Sequence, residues 1–424
     1  MDLIIGAGIT GLSYAAFCGH NNYLILEAEN IVGGYCKTTN RNGFIWDYSG
    51  HFFHFQDENI RSFIMKEIDQ NLLVDVVKAT FIKYKDRLID YPFQKNIHQL
   101  SKEELIDCLY DLFTIEQRTY STFKEMLYVK FGKSIAEKFL IPYNTKLYAC
   151  DLNTLDKDAM GRFFPYASKE DIIRNFKTDN NLSYNASFVY PKSGAVSYVN
   201  SVLTHVDKSK IRTNCKLRSI DLKNHTVYTE NGEKFTYDRL ISTIPFPQLL
   251  GKGQISYDEQ IYNWNQVLVF NLGFDCNGHD LRSHWIYFPE GKYCFYRVGF
   301  YSNILSTNRL SLYVEIGFNK KATINKEEYL KHTLDDLKTA GIITEKMNLV
   351  DYEAIVMDPA YVHINAESIK DVQEKKKSLA SFDVYSIGRY GSWTYCSIED
   401  NIKEAKTLAE QLNHSNQQLN SCDL

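Results

Sequence analysis

The chain has 424 residues, 44% of them hydrophobic and 24% charged, which excludes a disordered chain and, at roughly 100–200 residues per domain, predicts two to four folded units. The formal charge of −4 and the absence of any run of basic residues exclude an electrostatic grip on nucleic acid or an anionic membrane. No apolar stretch reaches the ~20 residues needed to span a bilayer, and Met1 stands just before the first strand, so a cytoplasmic protein is expected. Nine scattered cysteines without a Cys-x-x-Cys pair predict reduced thiols and no zinc site. The 30 tyrosines are a surplus that can line a polar ligand cleft, offering ring faces and hydroxyl donors together.

Leu3-Ile4-Ile5 predicts a short buried strand entering Gly6-Ala-Gly8-Ile-Thr-Gly11 and a helix from Leu12 to Cys18, and Tyr23–Leu26 predicts a second strand ending at Glu27, 21 residues after Gly6. This is the dinucleotide fingerprint: glycines admit a pyrophosphate to the backbone, the helix N-terminus supplies positive potential, and the acid accepts from ribose hydroxyls. A second glycine turn, Ile31-Val-Gly33-Gly34, follows at once. No second GxGxxG lies downstream, which disfavours a separate NADPH domain.

Further along, Ile60, Phe63, Ile64, Ile68 and Leu72 mark a helical face, and Ser101 with Glu104 a helix start. Residues 121–140 read as helix, and residues 163–184, rich in Lys, Asp and Asn, as a mobile loop. Residues 216–244 read as a hairpin turning at Asn231-Gly232, followed by a returning strand. Five strand candidates (267–274, 285–288, 295–300, 312–318 and 350–357) predict an antiparallel sheet, interrupted by a helix with Leu330, Leu334 and Leu337. The predicted class is α/β. A discontinuous Rossmann-like domain takes residues 1–85, 190–250 and 378–413. A helical insertion takes 97–180, an antiparallel sheet domain 86–96 and 251–377, and a disordered tail 414–424.

The two glycine turns together resemble the FAD-dependent amine oxidases, protoporphyrinogen oxidases and UDP-galactopyranose mutases, so Gly6, Gly8, Gly11, Glu27, Gly33 and Gly34 are expected to hold FAD. Further motifs narrow the resemblance to UDP-galactopyranose mutases, nearest in motif detail to the eukaryotic type. They are Ser49-Gly50-His51, Tyr91-Pro-Phe93-Gln94, Phe139 with Pro142-Tyr-Asn144-Thr-Lys-Leu-Tyr148, Tyr287-Phe-Pro-Glu with Phe295-Tyr-Arg297, Pro359-Ala-Tyr361, and Gly388-Arg389-Tyr-Gly391-Ser-Trp-Thr-Tyr395. The family usually has Trp where Tyr148 stands.

The resemblance implies Gly50 and His51 at the flavin edge and Arg389 on the FAD pyrophosphate. It implies Tyr91, Phe93, Gln94, Phe139, Asn144 and Tyr148 along the nucleoside, and Arg297 with Tyr287, Tyr361 and Tyr395 on the substrate diphosphate. Arg162 and Asn185 are further expected substrate contacts. It also implies interconversion of UDP-galactopyranose and UDP-galactofuranose in cell-surface glycan synthesis through a reduced-flavin N5-glycosyl adduct, with NADPH as reductant. The partner is a small nucleotide sugar, and oligomers are compatible with it. His51 and His54 lack partners at metal-ligand spacing, so no metal is expected. A flavin oxidase or desaturase, or a catalytically silent flavoprotein, shares the first fifty residues but leaves the later motifs unexplained.

Overall fold

The computed structural model describes residues 1–177 and 186–422, with side chains described to residue 414. Asp2–Ile5 is the middle of a five-stranded parallel sheet in the order Val384–Ser386, Arg239–Ser242, Asp2–Ile5, Tyr23–Leu26, Ile211–Arg212. Leu3, Ile4 and Ile5 read as an unbroken apolar run because both faces are covered. Ile4, Ile25 and Ile241 pack against Leu12, Tyr14 and Ala405 of the helices Ile9–Phe17 and Ile398–Cys422. Leu3, Ile5 and Leu240 point the other way, onto Phe246, Leu249 and Tyr262. The expected hairpin is present as Leu217–Asp221, Thr226–Thr229 and Lys234–Thr236, with Gly232 at φ +86 in the turn.

The larger sheet runs Leu349–Met357, Asn263–Phe274, Ser311–Asn319, Arg297–Phe300, Trp285–Tyr287, Thr80–Tyr84, Arg87–Asp90, with Val362–His363 added beside Asn263–Phe274. Two expectations need correction. Thr80–Tyr84 belongs here and not to the Rossmann unit, because its residues serve two cores: Phe81 faces one and Ile82 the other. That strand also joins Trp285–Tyr287 in parallel, so the sheet is mixed and not wholly antiparallel.

Alternation along these strands decides which residues reach the site. Leu268, Phe270, Leu312, Val314 and Val298 pack beneath Leu337 of the helix Lys326–Thr339. The opposite face carries Val267, Tyr287, Tyr313 and, in register across two strands, Arg297 opposite Glu315.

The helical unit contains Lys102–Phe113, Phe123–Ile135 and Ile141–Tyr148, and shares its core with that second face. Thr122 and Glu125 form a complete capping box before the second of these. The stretch expected to be a mobile loop is partly structured: a turn at Gly161–Phe163 and a helix Lys169–Asn175, capped by Ser168 and Asp171 and anchored by buried Phe164 and Ile172. The rest of that loop, and Asn185, lie outside the described residues. The closing helix continues to Cys422 where a disordered tail was expected, since Gln and Leu favour helix and no Gly or Pro intervenes. Among the described residues no helix is long and apolar enough to cross a membrane, and no group of three His, Cys, Asp or Glu is arranged to hold a metal. The eight cysteines with described side chains are free thiols.

Candidate active site

A cavity of about 1060 Å³ opens where the parallel strands end, against the Tyr287 and Arg297 face of the mixed sheet. Ligands bind at this edge of open α/β sheets because strand ends and helix N-termini converge there.

The dinucleotide end is built from backbone. Gly6 leaves its strand at φ +100, and Gly8 precedes the helix Ile9–Phe17 with no side chain capping its first amides. Gly11 must be glycine because a Cβ there would stand 2.1 Å from the Gly6 carbonyl oxygen. The second glycine turn docks on the first, with the Gly33 amide donating to Ala7 O at 2.8 Å. Glu27, 8% exposed, accepts from the Ala7 amide at 2.7 Å and the Glu29 amide at 2.9 Å. One lone pair on each of its oxygens remains for ribose hydroxyls. These residues fit FAD: open helix amides for a pyrophosphate, an oriented carboxylate for a ribose, and the Ser49–His51 turn further along the same cavity wall.

In that turn Ser49 sits at φ +89 and its carbonyl lies 3.2 Å from His51 Nδ1. A carbonyl only accepts, so Nδ1 carries the proton and Nε2 is left as an acceptor. Burial holds the His51 pKa down to about 4, with Arg389 and Arg297 pushing the same way against the Ser49 carbonyl and Glu315, so the ring is neutral at pH 7. His54, also in the wall, donates to the Ser187 carbonyl at 2.9 Å and is likewise held down to about 4 by burial.

The two arginines are held differently. Arg297 donates through Nε and Nη2 to the two oxygens of Glu315 at 2.7 and 2.6 Å, leaving Nη1 unengaged by that carboxylate. Glu315 is 1% exposed and also accepts from the Ser49 hydroxyl, so one buried acid orients both the arginine and the His51 turn. Arg389 has no carboxylate partner among the described residues. Its guanidinium lies 5.1 Å from the Tyr361 ring centre and 4.8 Å from that of Tyr395, two rings stacked at 5.7 Å, and its Nε is buried without a partner. Such an orphaned buried donor is what a bound pyrophosphate would satisfy.

Tyr91, Tyr287, Tyr361 and Tyr395 line the cavity together with Gly50, His51, Arg297 and Arg389. Arg162 is at the rim, where it pairs with Asp400 at 2.5 Å and donates to Gln56. Phe93, Gln94, Phe139, Asn144 and Tyr148, the other residues expected along the nucleoside, are buried and do not line the cavity. On the helix Ile141–Tyr148, Tyr143 and Leu147 share the cavity face, which turns Asn144 and Tyr148 inward. Asn144 bonds to Leu140 O, Phe93 and Phe139 stack at 5.2 Å, and Tyr148 backs the Tyr361 ring at 5.9 Å.

Sequence reasoning missed Glu315, Lys95, Tyr143 and Tyr296. A signal existed for Glu315: it is the lone charge in Ser311-Leu-Tyr-Val-Glu315-Ile-Gly-Phe, a strand otherwise apolar. Lys78 was missed too. Its ammonium lies 5.0 Å from the Tyr91 ring centre, where burial pulls its pKa down to about 7.

A parallel sheet with an open helix N-terminus and an acid-tipped second strand defines a dinucleotide-binding protein of flavoprotein build. A family model for flavin containing amine oxidoreductases matches residues 18–361, and the chain belongs to that FAD-containing enzyme family. It is 25% identical to the UDP-galactopyranose mutase of Mycoplasma genitalium over 289 residues, 62% of this chain and 66% of that one, just under two thirds of the relative's length. The fold is that of a crystal structure of reduced UDP-galactopyranose mutase, with a TM-score of 0.89 at 24% identity over 97% of this chain and 95% of the other. A putative protoporphyrinogen oxidase from Exiguobacterium sp. 255-15 follows at 0.77 and 17% identity, over 98% of both chains.

Proposed function

We propose that the chain is a flavin-dependent nucleotide-sugar mutase interconverting UDP-galactopyranose and UDP-galactofuranose, or a close analogue. The observation that carries this reading is the cationic collar. Arg297 and Arg389 face one cavity among Tyr287, Tyr361 and Tyr395, Arg389 suited to the cofactor's pyrophosphate and Arg297 with the tyrosines to a second, substrate diphosphate, a set repellent to a protonated amine.

A reduced FAD held by these residues would supply the nucleophile that the ring interconversion needs, and NADPH is the proposed reductant. The chain does the rest. The Gly6–Gly11 backbone and Glu27 hold the cofactor. Arg297, kept in place by Glu315, offers Nη1 to the diphosphate, and tyrosine hydroxyls add donors. Neutral His51 leaves Nε2 as an acceptor beside Gly50, and the ring-lined wall excludes water during ring opening and reclosure. No protein nucleophile is required.

The test is chromatography of UDP-galactofuranose incubated with the holoenzyme, with dithionite and without. Conversion to UDP-galactopyranose in the reduced sample alone is expected. Inactivity on UDP-galactofuranose and related nucleotide sugars, with oxygen consumption on an amine or porphyrinogen, would replace this reading with an amine oxidase or protoporphyrinogen oxidase.

A further inference from the structure

The segment Pro142-Tyr-Asn144-Thr-Lys146-Leu-Tyr148 holds one charged residue that the site has not used. Lys146 stands three residues after Tyr143 on the helix Ile141–Tyr148, so the two share a side of it. Tyr143 meets the rings of Tyr287 and Tyr296 at 4.9 and 6.1 Å. Lys146 grips the loop between those two tyrosines. Its Nζ donates to the carbonyls of Phe288, Glu290, Tyr293 and Phe295 at 2.8, 3.1, 2.9 and 2.5 Å.

Four carbonyl oxygens converging on one point repel one another, and an ammonium answers them with three N–H donors and a positive charge. Burial pulls the Lys146 pKa down to about 8, against Cys294, Asp336 and Glu290, so the group is charged at pH 7. The origin of the side chain is fixed as well. Its helix lies flush on the strand Ser311–Asn319, where a Cβ at Gly317 would stand 2.2 Å from the Lys146 carbonyl oxygen. The gripped loop closes the hairpin whose last paired residues are Tyr287 and Arg297, both in the cavity wall.

We propose that Lys146 is a positioning residue for diphosphate binding: its ammonium, seated in a socket of backbone carbonyls, fixes the loop that sets Tyr287, Tyr296 and Arg297 against the cavity. The assignment rests on the nucleotide-sugar reading and adds to it a residue that touches no ligand. Lys146→Ala empties the socket of three methylenes and an ammonium, which is the size of propylammonium.

The experiment is calorimetric titration of UDP onto the FAD-loaded wild type, Lys146→Ala and Lys146→Met, with amide exchange of residues 288–297 followed by mass spectrometry. Both variants are expected to keep their flavin, bind UDP roughly tenfold more weakly, the value of one charge-assisted hydrogen bond, and exchange faster in that segment. Propylammonium should restore affinity and protection in Lys146→Ala. Tetramethylammonium, which has the charge and no N–H, should restore neither, and Lys146→Met, whose thioether fills the channel, should respond to neither ion. A variant that binds UDP and exchanges like wild type overturns the assignment. So does a loss in Lys146→Ala that propylammonium leaves in place or that tetramethylammonium repairs equally, and so does loss of flavin and fold in both variants. Failure of wild type to bind UDP overturns the nucleotide-sugar reading instead, and the exchange arm still decides the socket.

Discussion

The two ends of the cavity are equipped by opposite means for the two diphosphates that the proposed reaction would bring. At the dinucleotide end the donors are backbone amides and the tolerances are set by glycines, with Gly11 against the Gly6 carbonyl as the tightest point. At the other end the donors are side chains, Tyr287 and Arg297 from two paired strands and Tyr361 and Tyr395 from loops later in the chain, and the principal cation, Arg297, is already paired with Glu315. The first arrangement tolerates almost no added atom. The second depends on one internal counter-charge, so it is sensitive to chemistry more than to shape.

Four perturbations separate the two modes. The largest effect is expected from Glu315→Leu, which strands a buried guanidinium. Removing one partner of such a pair costs about 3–5 kcal/mol. Thermal stability and turnover should both fall sharply, and Glu315→Gln should recover part of each; a Leu variant as stable as wild type would dismiss the counter-charge. Gly11→Val comes next, with overpacking of about 1–3 kcal/mol and loss of bound flavin, read as flavin absorbance per protein after gel filtration. Its diphosphate end should be untouched, so UDP titrated onto any flavin-loaded fraction should bind normally.

Third is acid sensitivity. Burial depresses the folded-state pKa of His51 to about 4 from the ordinary imidazole value of about 6.5, so the unfolded chain binds more protons between those values. Its contribution to stability is present above about pH 6.5 and is lost as the pH falls toward 4. Asp47, buried and raised to about 6, acts with the opposite sign over an overlapping range. Melting temperature followed from pH 7 to 4 should therefore fall less steeply in His51→Gln than in wild type. The smallest effect is expected for Arg162→Ala. Its pair with Asp400 is partly exposed and worth about 0–1 kcal/mol, so melting should barely move.

The dinucleotide end was readable because its determinants are contiguous: strand, glycines, helix and acid lie within the first thirty-four residues, and each is a backbone requirement. Individual inward-facing residues of the substrate end were less so. The motif Tyr91-Pro-Phe-Gln94 is legible, yet which of its side chains meets the cavity depends on a 3-10 turn whose phase no short pattern reveals: Tyr91, Pro92 and Lys95 line it, while Phe93 and Gln94 are buried beside them. The same holds on the helix Ile141–Tyr148, where Tyr143 and Leu147 line the cavity and Asn144 and Tyr148 are buried. Arg297 was legible, but its partner was not, because register across two strands is fixed by pairing and not by sequence distance. The strand Thr80–Tyr84 was assigned to the wrong unit for a related reason: its neighbour lies some two hundred residues later.

The order of the parallel sheet carries a consequence for synthesis. Asp2–Ile5 is flanked by Arg239–Ser242, and that strand in turn by Val384–Ser386, so the cradle for the dinucleotide gains its outer strand only after residue 386 has been made. At ribosomal speed, roughly 5–20 residues per second, the nascent N-terminal strand waits on the order of tens of seconds with an apolar edge uncovered. The cofactor thus cannot template the early stages of folding. Its full cradle exists only once Val384–Ser386 has been made, and fragments that stop short of residue 384 lack the outer strand of the sheet that positions its site.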